Sequence, residues 1–356
     1  MKTEDMNVAL MVGTLRTPMD EGTGKSVINL AKKLQDRVEK VFVFTRDSNQ
    51  KNDVLPSEEV YEGVRILRRP IKPLNFFQNR RLMKEEQVDL VHVHTSSAKM
   101  ALYASKLAHE SLWTIPAYRS KDMEENIWQK LSNQKALATS EDLKDKSPAD
   151  TVLPYGVDTR KYSVDRKTDN EEKVSLLYMG APNEKRGFYP AIKIIKELRK
   201  LGENIEFKVA VRERNNQKQR AKQVIEEKGL LEHTEVRGFI EDLPRFYNSV
   251  DFLLNPIKDG SGVTSPPVIT LEAMSCGRIA CCTRIPDFEN LIEDGQSGLL
   301  FQCGEEQKMA ERISELSQQD IDGISENARD KILEEYSWSY ITDEYIQTYG
   351  EIVSGS

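Results

Sequence analysis

Short apolar runs alternate with amphipathic segments along almost the whole chain. Val27, Leu30, Ala31 and Leu34, for example, recur at i, i+3, i+4 and i+7, which is the spacing of one helix face. Strand-like runs that alternate with such helices predict an α/β protein with parallel sheets. The predicted strands cover residues 7–12, 40–44, 64–67, 88–93 and 136–139, then 174–180, 205–211, 234–237, 251–255, 279–282 and 298–301.

The pattern divides into two halves that are joined by a polar stretch. Residues 153–173 are charged, contain Pro and Gly, and therefore predict a linker. An aromatic and apolar stripe in residues 336–353 predicts a closing helix that packs on a core. Two doubly wound sheets bind ligands in a cleft at the carboxyl ends of their strands. The other helices expected in the first half cover residues 25–36, 78–86, 96–109 and 122–132.

Length and composition fit this two-domain organisation. A chain of 356 residues exceeds one ordinary core, and 38% hydrophobic with 31% charged residues is typical of a soluble globular protein. No apolar run is long enough to span a bilayer, and the N-terminus does not resemble a signal peptide, so we expect a cytoplasmic protein. The net charge of −7 argues against nucleic acid as a partner.

The four cysteines lie in the last third of the chain, which raises the question of a metal site. They are Cys276, Cys281, Cys282 and Cys303, and none of their spacings is C-x-x-C. We therefore expect buried free thiols in a reducing compartment and no metal.

One segment carries a charge opposite to that of the whole chain. Residues 65–84 contain seven Lys and Arg residues and no acidic residue, and they include the adjacent Phe76 and Phe77. Such a segment can dock on anionic lipid or on an anionic acceptor. A solvated strand edge and loop explains the same composition, and the sequence leaves both interpretations open.

The stretch DEGTGKSVINLAKKL, residues 20–34, ends like a phosphate-binding P-loop. The motif G-x-x-x-x-G-K-[ST] requires a first glycine where this chain has Met19, so the P-loop interpretation fails. What remains is a glycine-rich turn that opens a helix, whose free N–H groups and positive dipole end suit an anion.

A second helix start of the same kind follows the predicted strand that ends at Asn255. A loop of Gly, Ser and Thr leads to a helix that begins at about Pro267, with Ser265 at or near the N-cap position. Glu272 lies one to two turns into this mainly apolar helix. Its carboxylate either holds a ligand hydroxyl or binds a neighbouring backbone group.

Two further groups of residues are candidates for binding an anion or a sugar. Lys185 and Arg186 follow a strand end at Gly180, where two cations either flank an anion or belong to a solvated loop. His94 ends a strand, so its imidazole either touches a donor sugar or acceptor hydroxyl, or is a structural histidine bonded to a loop carbonyl. His92, inside that strand, is expected to be buried with its nitrogens satisfied.

Taken in order, these motifs resemble the retaining nucleotide-sugar glycosyltransferases of the GT-B fold, specifically glycosyltransferase family 4. The resemblance implies two Rossmann-like doubly wound domains that face a central cleft. An acceptor-side domain would cover residues 1–155, with a closing helix at 339–356 packed back on it, and a donor domain would cover 156–338. The motifs are VDLVHVH, LPYGVD, YMGAPNEKRG, EVRGFIEDLPRFYNSVDFLLNP, LEAMSCG, DGQSGLLF and YSW.

The resemblance also implies roles for the candidate residues. Lys185 and Arg186 would neutralise the leaving diphosphate, Glu272 would bind the ribose, and the donor, linked to UDP or GDP, would be used without metal or cofactor. Catalytic roles are thus expected for Lys185, Arg186, His94 and Asp259. Donor-binding roles are expected for Gly22, Gly24, Gly180, Phe239, Ile240, Thr264, Ser265, Pro266 and Glu272.

Several positions depart from the family pattern. Thr264 stands eight residues before Glu272, where the family usually has a glutamate, so either Asp259 or the backbone together with Thr264 would make the contact to the donor sugar. Ala181 and Tyr155 replace a usual arginine and asparagine. The expected activity is sugar transfer from a nucleoside diphosphate to a glycan or lipid-linked acceptor, with peripheral contact at the inner membrane face. A catalytically weakened homologue that binds nucleotide sugar or glycan as a partner subunit is the alternative, and a nucleotide-sugar epimerase is a third.

Overall fold

The computed structural model describes residues 2–16, 22–47, 55–117, 131, 134–165, 173–211, 216–258 and 266–355. The chain forms two compact units. The first contains Met1–Gly156 and Trp338–Ser356, and the second contains Val157–Gly260 and Pro266–Ser337. The chain therefore passes between the units at Gly156 and again at Ser337.

The described part of the first unit is built on a sheet of eight strands. The strands are β1 (Asn7–Val12), β2 (Lys40–Arg46), β3 (Glu58–Tyr61), β4 (Val64–Arg69), β5 (Leu90–His94), β6 (Glu110–Ile115), β7 (Lys135–Ala138) and β8 (Thr151–Val152). Their spatial order is β3-β4-β2-β1-β5-β6-β7-β8, and only the β3–β4 pair is antiparallel. Parallel strands buried on both faces explain the nearly continuous apolar runs in the sequence.

Helices cover both faces of this sheet. Val8 and Leu10 of β1 face one core, whereas Ala9 and Met11 face the other, because side chains alternate along a strand. The first core contains the apolar side of the closing helix, including Trp338. The helices described in this unit are α1 (Gly22–Leu34), α2 (Phe76–Glu85), α3 (Ala98–Ala104), α4 (Glu141–Asp145) and the closing helix α12 (Trp338–Ser354).

The second unit contains a parallel sheet of six strands in its described part. The strands are β9 (Val174–Met179), β10 (Ile205–Ala210), β11 (Thr234–Arg237), β12 (Phe252–Asn255), β13 (Ile279–Thr283) and β14 (Leu299–Phe301). Their spatial order, β11-β10-β9-β12-β13-β14, is the Rossmann order 3-2-1-4-5-6. All six carboxyl ends therefore lie at one edge, where ligands of such sheets bind.

The helices of the second unit pack by their apolar stripes. In the helix that follows β9, Phe188, Ala191, Ile192 and Ile195 recur at i, i+3, i+4 and i+7 and are buried. The described helices are α5 (Phe188–Lys200), α6 (Gln217–Glu227), α7 (Leu243–Asn248), α8 (Val268–Ser275), α9 (Pro286–Glu289), α10 (Glu306–Glu315) and α11 (Gln318–Glu335). No helix in the described ranges is long and apolar enough to cross a membrane.

The fold confirms the predicted α/β class and all six strands predicted for the second half. In the first half the pattern missed β3, β6 and β8. Strand β3 is a polar edge strand with Val60 71% exposed, and β8 is only two residues long, so neither carries a periodic signal. The helix predicted at 122–132 falls almost entirely outside the described residues.

The predicted linker contains the passage between the two units at Gly156, but its first part is packed into the protein instead of being solvated. Leu153, Tyr155, Val157 and Tyr162 are buried, and the main-chain N–H of Val157 donates to the carbonyl of Tyr336 at 2.8 Å. The apolar side chains interspersed among the charged residues therefore hold this segment in place. The remainder of the predicted linker includes residues 166–172, which lie outside the described part.

The cysteine prediction is confirmed for three of the four thiols. Cys276, Cys281 and Cys282 are buried and free, whereas Cys303 is free but exposed. Burial raises the pKa of the Cys276 thiol to about 12, so this group stays protonated.

Candidate functional site

The loop after β9 carries Lys185 and Arg186 and is held by a buried tyrosine. The Tyr178 hydroxyl donates to the carbonyl of Ala181 at 2.7 Å and lies 3.0 Å from the carbonyl of Arg186. A Cβ at Gly180 would lie 3.0 Å from that hydroxyl, so glycine leaves the room that Tyr178 needs. The strand end predicted at Gly180 is thus also the point where this loop is attached.

A short 3-10 turn, Glu184–Arg186, presents the two cations. The Asn183 side chain accepts from the main-chain N–H of Arg186 at 3.0 Å and caps this turn. Lys185 is exposed and Arg186 is half-buried. The two cations are therefore carried by a hydrogen-bonded turn at the carboxyl edge of β9, with Lys185 in solvent, and their expected place beside an anion stays a prediction.

Gly187 fixes the same loop against the end of the neighbouring strand β12. Its φ is +76°, and a Cβ there would lie 2.1 Å from the carbonyl oxygen of Pro256. Glycine adopts this conformation without strain, and only a residue without a Cβ permits this approach. Lys185 and Arg186 are thereby held close to the segment that follows β12.

The segment between β12 and α8 is anchored by buried hydroxyl groups. The Asn255 amide donates to Thr270 Oγ1 at 2.9 Å, and the Thr283 hydroxyl donates to the carbonyl of Ile257. Helix α8 begins at Val268 with Pro267 at its N-cap position and no side-chain cap, so the predicted helix start at about Pro267 is confirmed, while Ser265 lies two positions before the N-cap. Proline satisfies the geometry of a helix start without donating an N–H.

Three predicted residues of this segment lie outside the described part of the structure. They are Asp259, Thr264 and Ser265. Pro266 is described and is buried. The binding and catalytic roles expected for all four stay predictions.

Glu272 is 2% exposed and accepts hydrogen bonds from tyrosines. The Tyr247 hydroxyl donates to Glu272 Oε2 at 3.0 Å, and the Tyr162 hydroxyl is hydrogen-bonded to the same carboxylate. Burial, with the nearby negative charge of Glu272, raises the pKa of both tyrosines far above the ordinary value, so both hydroxyls remain donors. The contact that the sequence left open as a backbone contact is thus made to side chains, and ribose binding stays a prediction.

Arg329 positions Tyr162 from the other side. Its guanidinium donates to the carbonyls of Tyr162 at 2.6 Å and Thr159 at 2.9 Å, and to Ser275 Oγ at 2.9 Å. Because Ser275 is the last residue of α8, one arginine joins the helix that carries Glu272 to the segment that carries Tyr162.

The predicted base-binding residues follow β11. Phe239 is 70% exposed, Ile240 is half-buried, and Gly238 is buried. The guanidinium of Arg237 lies 5.9 Å from the ring centroid of Phe246. An exposed aromatic ring at the carboxyl edge of a parallel sheet offers a flat surface on which a planar ring can stack.

In the first unit, His94 ends β5 as predicted, but its ring is buried. It is 1% exposed, its Nδ1 lies 3.0 Å from the Tyr155 hydroxyl, and its ring stacks on that of Tyr155 with the centroids 5.8 Å apart. Burial lowers the pKa of His94 to about 3, so the imidazole is neutral. The partner is a tyrosine instead of a loop carbonyl, and Nε2 has no hydrogen-bond partner among the described residues.

His92 is confirmed as a buried, satisfied histidine. Its Nδ1 lies 2.7 Å from the Tyr349 hydroxyl and its Nε2 lies 2.7 Å from Thr114 Oγ1. Burial and the neighbouring His94 lower its pKa well below the ordinary value. Gly22 and Gly24 lie half-buried in the first turn of α1, and their expected approach to a diphosphate stays a prediction.

Sequence reasoning missed the residues that position the second-unit candidates. Tyr178, Tyr162 and Tyr247 each direct a hydroxyl to a candidate loop or carboxylate, and Arg329 acts from 54 residues beyond Ser275. Single aromatic residues at a strand end or in a short helix look like core positions in a sequence. In the first unit, by contrast, the sequence did mark Tyr155, the contact of His94, since it replaces the asparagine that is usual in the family.

Two family models match the chain over well separated segments. The model described as glycosyl transferases group 1 matches residues 173–319, and the model described as glycosyltransferase family 4 matches residues 21–118. Together they cover well over half of the chain and both of its units. The chain belongs to the family 4, or group 1, glycosyltransferases.

Solved glycosyltransferase structures share the GT-B fold of this family member at low sequence identity. Sucrose-phosphate synthase from Thermosynechococcus elongatus has a TM-score of 0.78 at 16% identity, with 98% of this chain and 100% of that chain covered. Anabaena HepE in complex with UDP has a TM-score of 0.77 at 15% identity, with coverage of 97% and 100%. These likenesses establish the fold of the family member.

A relative of similar sequence is WcaL of Escherichia coli K12, a protein assigned as a colanic acid biosynthesis glycosyltransferase. It is 24% identical over 200 residues, which is 54% of this chain and 49% of WcaL. The chain thus spans about half the length of the relative that it matches.

Proposed function

We propose that this chain is a retaining, metal-independent hexosyltransferase that uses a UDP- or GDP-linked sugar and acts in polysaccharide biosynthesis. The observation that carries the proposal is the basic turn at Lys185 and Arg186, which Tyr178, Asn183 and Gly187 hold at the carboxyl edge of β9. Fixed cations at that edge match the charge of a departing nucleoside diphosphate. The likeness to HepE, which was solved in complex with UDP, supports a nucleotide-sugar donor.

In the proposed reaction the bond between the anomeric carbon and the diphosphate oxygen breaks, and a bond from that carbon to an acceptor hydroxyl oxygen forms. The acceptor proton moves to the departing phosphate, so no protein nucleophile is required. Lys185 and Arg186 stabilise the negative charge that develops on the leaving group. Phe239 stacks on the base, and Glu272, oriented by Tyr247 and Tyr162, receives ribose hydroxyls.

The acceptor is proposed to be a glycan or a lipid-linked glycan at the inner face of the cytoplasmic membrane. The support for this comes from the basic segment 65–84 and from the assignment of WcaL to colanic acid biosynthesis. His94, Gly22, Gly24 and Asp259 keep their expected roles as predictions within this proposal.

The donor part of the proposal is tested by ligand-induced thermal stabilisation. At one hundred times its dissociation constant, UDP or GDP should stabilise the folded protein by about 2.7 kcal/mol. Replacing Lys185 and Arg186 together by alanine should weaken that ligand at least about tenfold, because each charge-assisted hydrogen bond contributes about 1.5–3 kcal/mol. Isothermal titration calorimetry gives both affinities directly.

Lys196→Ala is the matched control, since Lys196 is an exposed cation on α5 beyond the basic turn. Unchanged affinity in the Lys185→Ala, Arg186→Ala double variant would contradict the proposed site. Donor binding without transfer to any acceptor, and without donor hydrolysis, would favour the catalytically weakened homologue. An altered donor sugar with no transfer would indicate the epimerase.

A further inference from the structure

The basic segment 65–84 divides into two parts with different environments. In the β4 part Arg65 and Arg68 form ion pairs within the protein. Arg68 is 1% exposed and pairs with Glu59 at 2.5 Å. Arg65 pairs with Glu58 at 2.7 Å and with Glu86 at 2.9 Å. These arginines hold the edge strand β3 and the end of α2 to the sheet. Of the two interpretations that the sequence left open for residues 65–84, docking on an anionic partner is thus not available to the β4 part, where Arg65 and Arg68 are paired within the protein.

The second part is the outward face of α2 and the 3-10 turn before it, Pro73–Asn75. Phe77, Arg80, Arg81 and Lys84 recur at i, i+3, i+4 and i+7, so they share one helix face, and all are exposed. The opposite face carries Asn79 and Met83, which are 2% and 1% exposed. Helix α2 is thus anchored on one side and presents cations around an aromatic ring on the other.

Two large apolar side chains on this face are almost fully in water. Leu74 is 93% exposed and Phe77 is 79% exposed, the two highest values among the exposed large hydrophobic residues of the described chain. The neighbouring Phe76 behaves differently, because its ring packs edge-on against Tyr103 with the centroids 5.5 Å apart. A ring in this helix is therefore partly covered when it faces the core, and the exposure of Phe77 follows from its position on the outward face.

Most of the positive charge on this face has no ion-pair partner in the described part of the chain. Residues 70–84 contain no acidic residue. Lys72, Arg80 and Lys84 form no ion pair with any residue in the described ranges, and the Arg81–Glu85 pair is 80% and 57% exposed and therefore weak. Cations that surround an apolar pair complement a surface that is anionic outside and apolar beneath.

We infer that the face formed by Leu74, Phe77 and the cations Lys72, Arg80, Arg81 and Lys84 docks on an anionic lipid bilayer. Leu74 and Phe77 enter the boundary between headgroups and acyl chains, and the basic side chains contact lipid phosphates. This lipid-docking face is distinct from the second-unit residues proposed to bind the donor. The consequence that it brings the protein to a lipid-linked acceptor rests on the proposed function, whereas the docking itself does not.

The two kinds of side chain make separable contributions to binding. Each basic residue near an anionic surface contributes about a fivefold increase in the partition coefficient at low salt, and this part is screened as ionic strength rises. Each buried apolar side chain contributes about tenfold or more and is insensitive to salt. The inference therefore predicts that vesicle binding weakens when either the basic or the apolar side chains are replaced. Only the contribution of the basic side chains should decrease as ionic strength rises.

The test is co-sedimentation of the full chain with vesicles of equal parts phosphatidylglycerol and phosphatidylcholine, and with vesicles of phosphatidylcholine alone. Wild type should bind the anionic vesicles and bind the neutral ones at least about tenfold more weakly. Leu74→Ser with Phe77→Ser should lower the partition coefficient on anionic vesicles about a hundredfold, because two apolar side chains are removed. Arg80→Ala with Lys84→Ala should lower it about twentyfold or more.

Matched variants in the second unit serve as controls. Leu231→Ser is the apolar control, since Leu231 is 45% exposed, and Arg220→Ala with Lys222→Ala removes the same charge from α6. Both should bind vesicles as wild type does. Because every changed residue is exposed, thermal unfolding should be unchanged in all of these variants, which shows that loss of binding is not loss of folding.

The inference is overturned if the α2 variants bind as tightly as the control variants, or if wild type does not bind anionic vesicles. It is also overturned if Leu74→Ser with Phe77→Ser leaves binding intact while heparin competes fully, since the face would then bind any polyanion by charge alone. Stabilisation by UDP and by GDP is measured on the same samples. The absence of both effects would contradict the proposed function and leave the vesicle result unaffected.

Discussion

Single side chains in this protein depend on partners that are remote in sequence. His92 contacts Tyr349 across 257 positions, and His94 contacts Tyr155 across 61. These contacts place two neutral imidazoles, with ring centroids 4.0 Å apart, in the core of the first unit. Neutral histidines in a core make stability depend on pH.

We expect the first unit to lose stability as the solution becomes mildly acidic. Burial lowers the pKa of both imidazoles in the folded state, that of His94 to about 3, whereas the unfolded chain protonates at about pH 6.5. The unfolded state therefore binds more protons below about pH 6.5, and the free energy of unfolding falls as pH drops from there towards the folded pKa. Between about pH 7.5 and 5.5 each imidazole should contribute a loss of about 1.4 kcal/mol.

Urea unfolding at the two pH values measures this loss. In His94→Asn and in His92→Gln, the decrease in the free energy of unfolding between the two pH values should be smaller than in wild type by about 1.4 kcal/mol. This difference should hold whatever the stability of each variant at the higher pH. His109→Asn is the control, because the His109 side chain is 84% exposed. Equal pH dependence in wild type and in both core variants would show that the imidazoles are not neutral in the folded state.

At the scale of elements, the candidate donor loop is shaped by contacts between neighbouring connections. The turn after β9 packs through Gly187 against the segment after β12. Arg329 of α11 hydrogen-bonds both to α8 and to the segment that carries Tyr162. The connections after β9 and β12 leave their strands at the same edge of the sheet. A change in one connection is therefore transmitted to the next.

We expect Gly187→Ala to destabilise the second unit by about 2–4 kcal/mol. Alanine would be strained in the left-handed backbone conformation at this position, and its Cβ would overlap the carbonyl of Pro256. Gly229→Ala separates the two effects, since Gly229 has φ +69° and no atom within 4 Å of the added Cβ. That variant should cost only about 1 kcal/mol. Chemical denaturation compares the two, and equal losses would refute the close approach.

At the scale of the whole molecule, the first unit is completed by the end of the chain. Trp338, Ile341, Tyr345 and Tyr349 of α12 are buried with β1 and α1 in one core. Trp338 also lies so close to Gly156 that a Cβ there would be 2.8 Å from the indole. The first unit therefore requires a segment that is synthesised after the entire second unit.

Trp338→Ala should destabilise the first unit by about 3–5 kcal/mol, because it removes a fully buried ring from that core. Hydrogen exchange should become faster in β1 and β5 and remain unchanged in β9 and β10. Tyr340→Ala is the control on the same helix, since Tyr340 is 46% exposed, and it should have an effect below about 1 kcal/mol. Faster exchange in β9 as well would show that the two units do not unfold separately.

Much of the fold was predictable because local patterns are strong where strands are buried on both faces. The six strands of the second unit and the amphipathic helix α5 are visible as apolar runs and periodic stripes. Strand β3 was not, because an edge strand with exposed Val60 needs no apolar pattern. The family resemblance rested on ordered motifs and was confirmed by two family models.

The α/β class, the family and the position of Lys185 and Arg186 after a strand follow from the order of residues along the chain, so they could be read without coordinates. Only the tertiary structure shows that Arg68 is buried while Phe77 is exposed, and that Glu272 accepts a hydrogen bond from a tyrosine hydroxyl. The burial of a side chain and the choice of its contacts depend on which distant segments pack together. Residue type and spacing limit this packing but do not specify it, since a cation or an aromatic ring occurs both in core contacts and on binding surfaces.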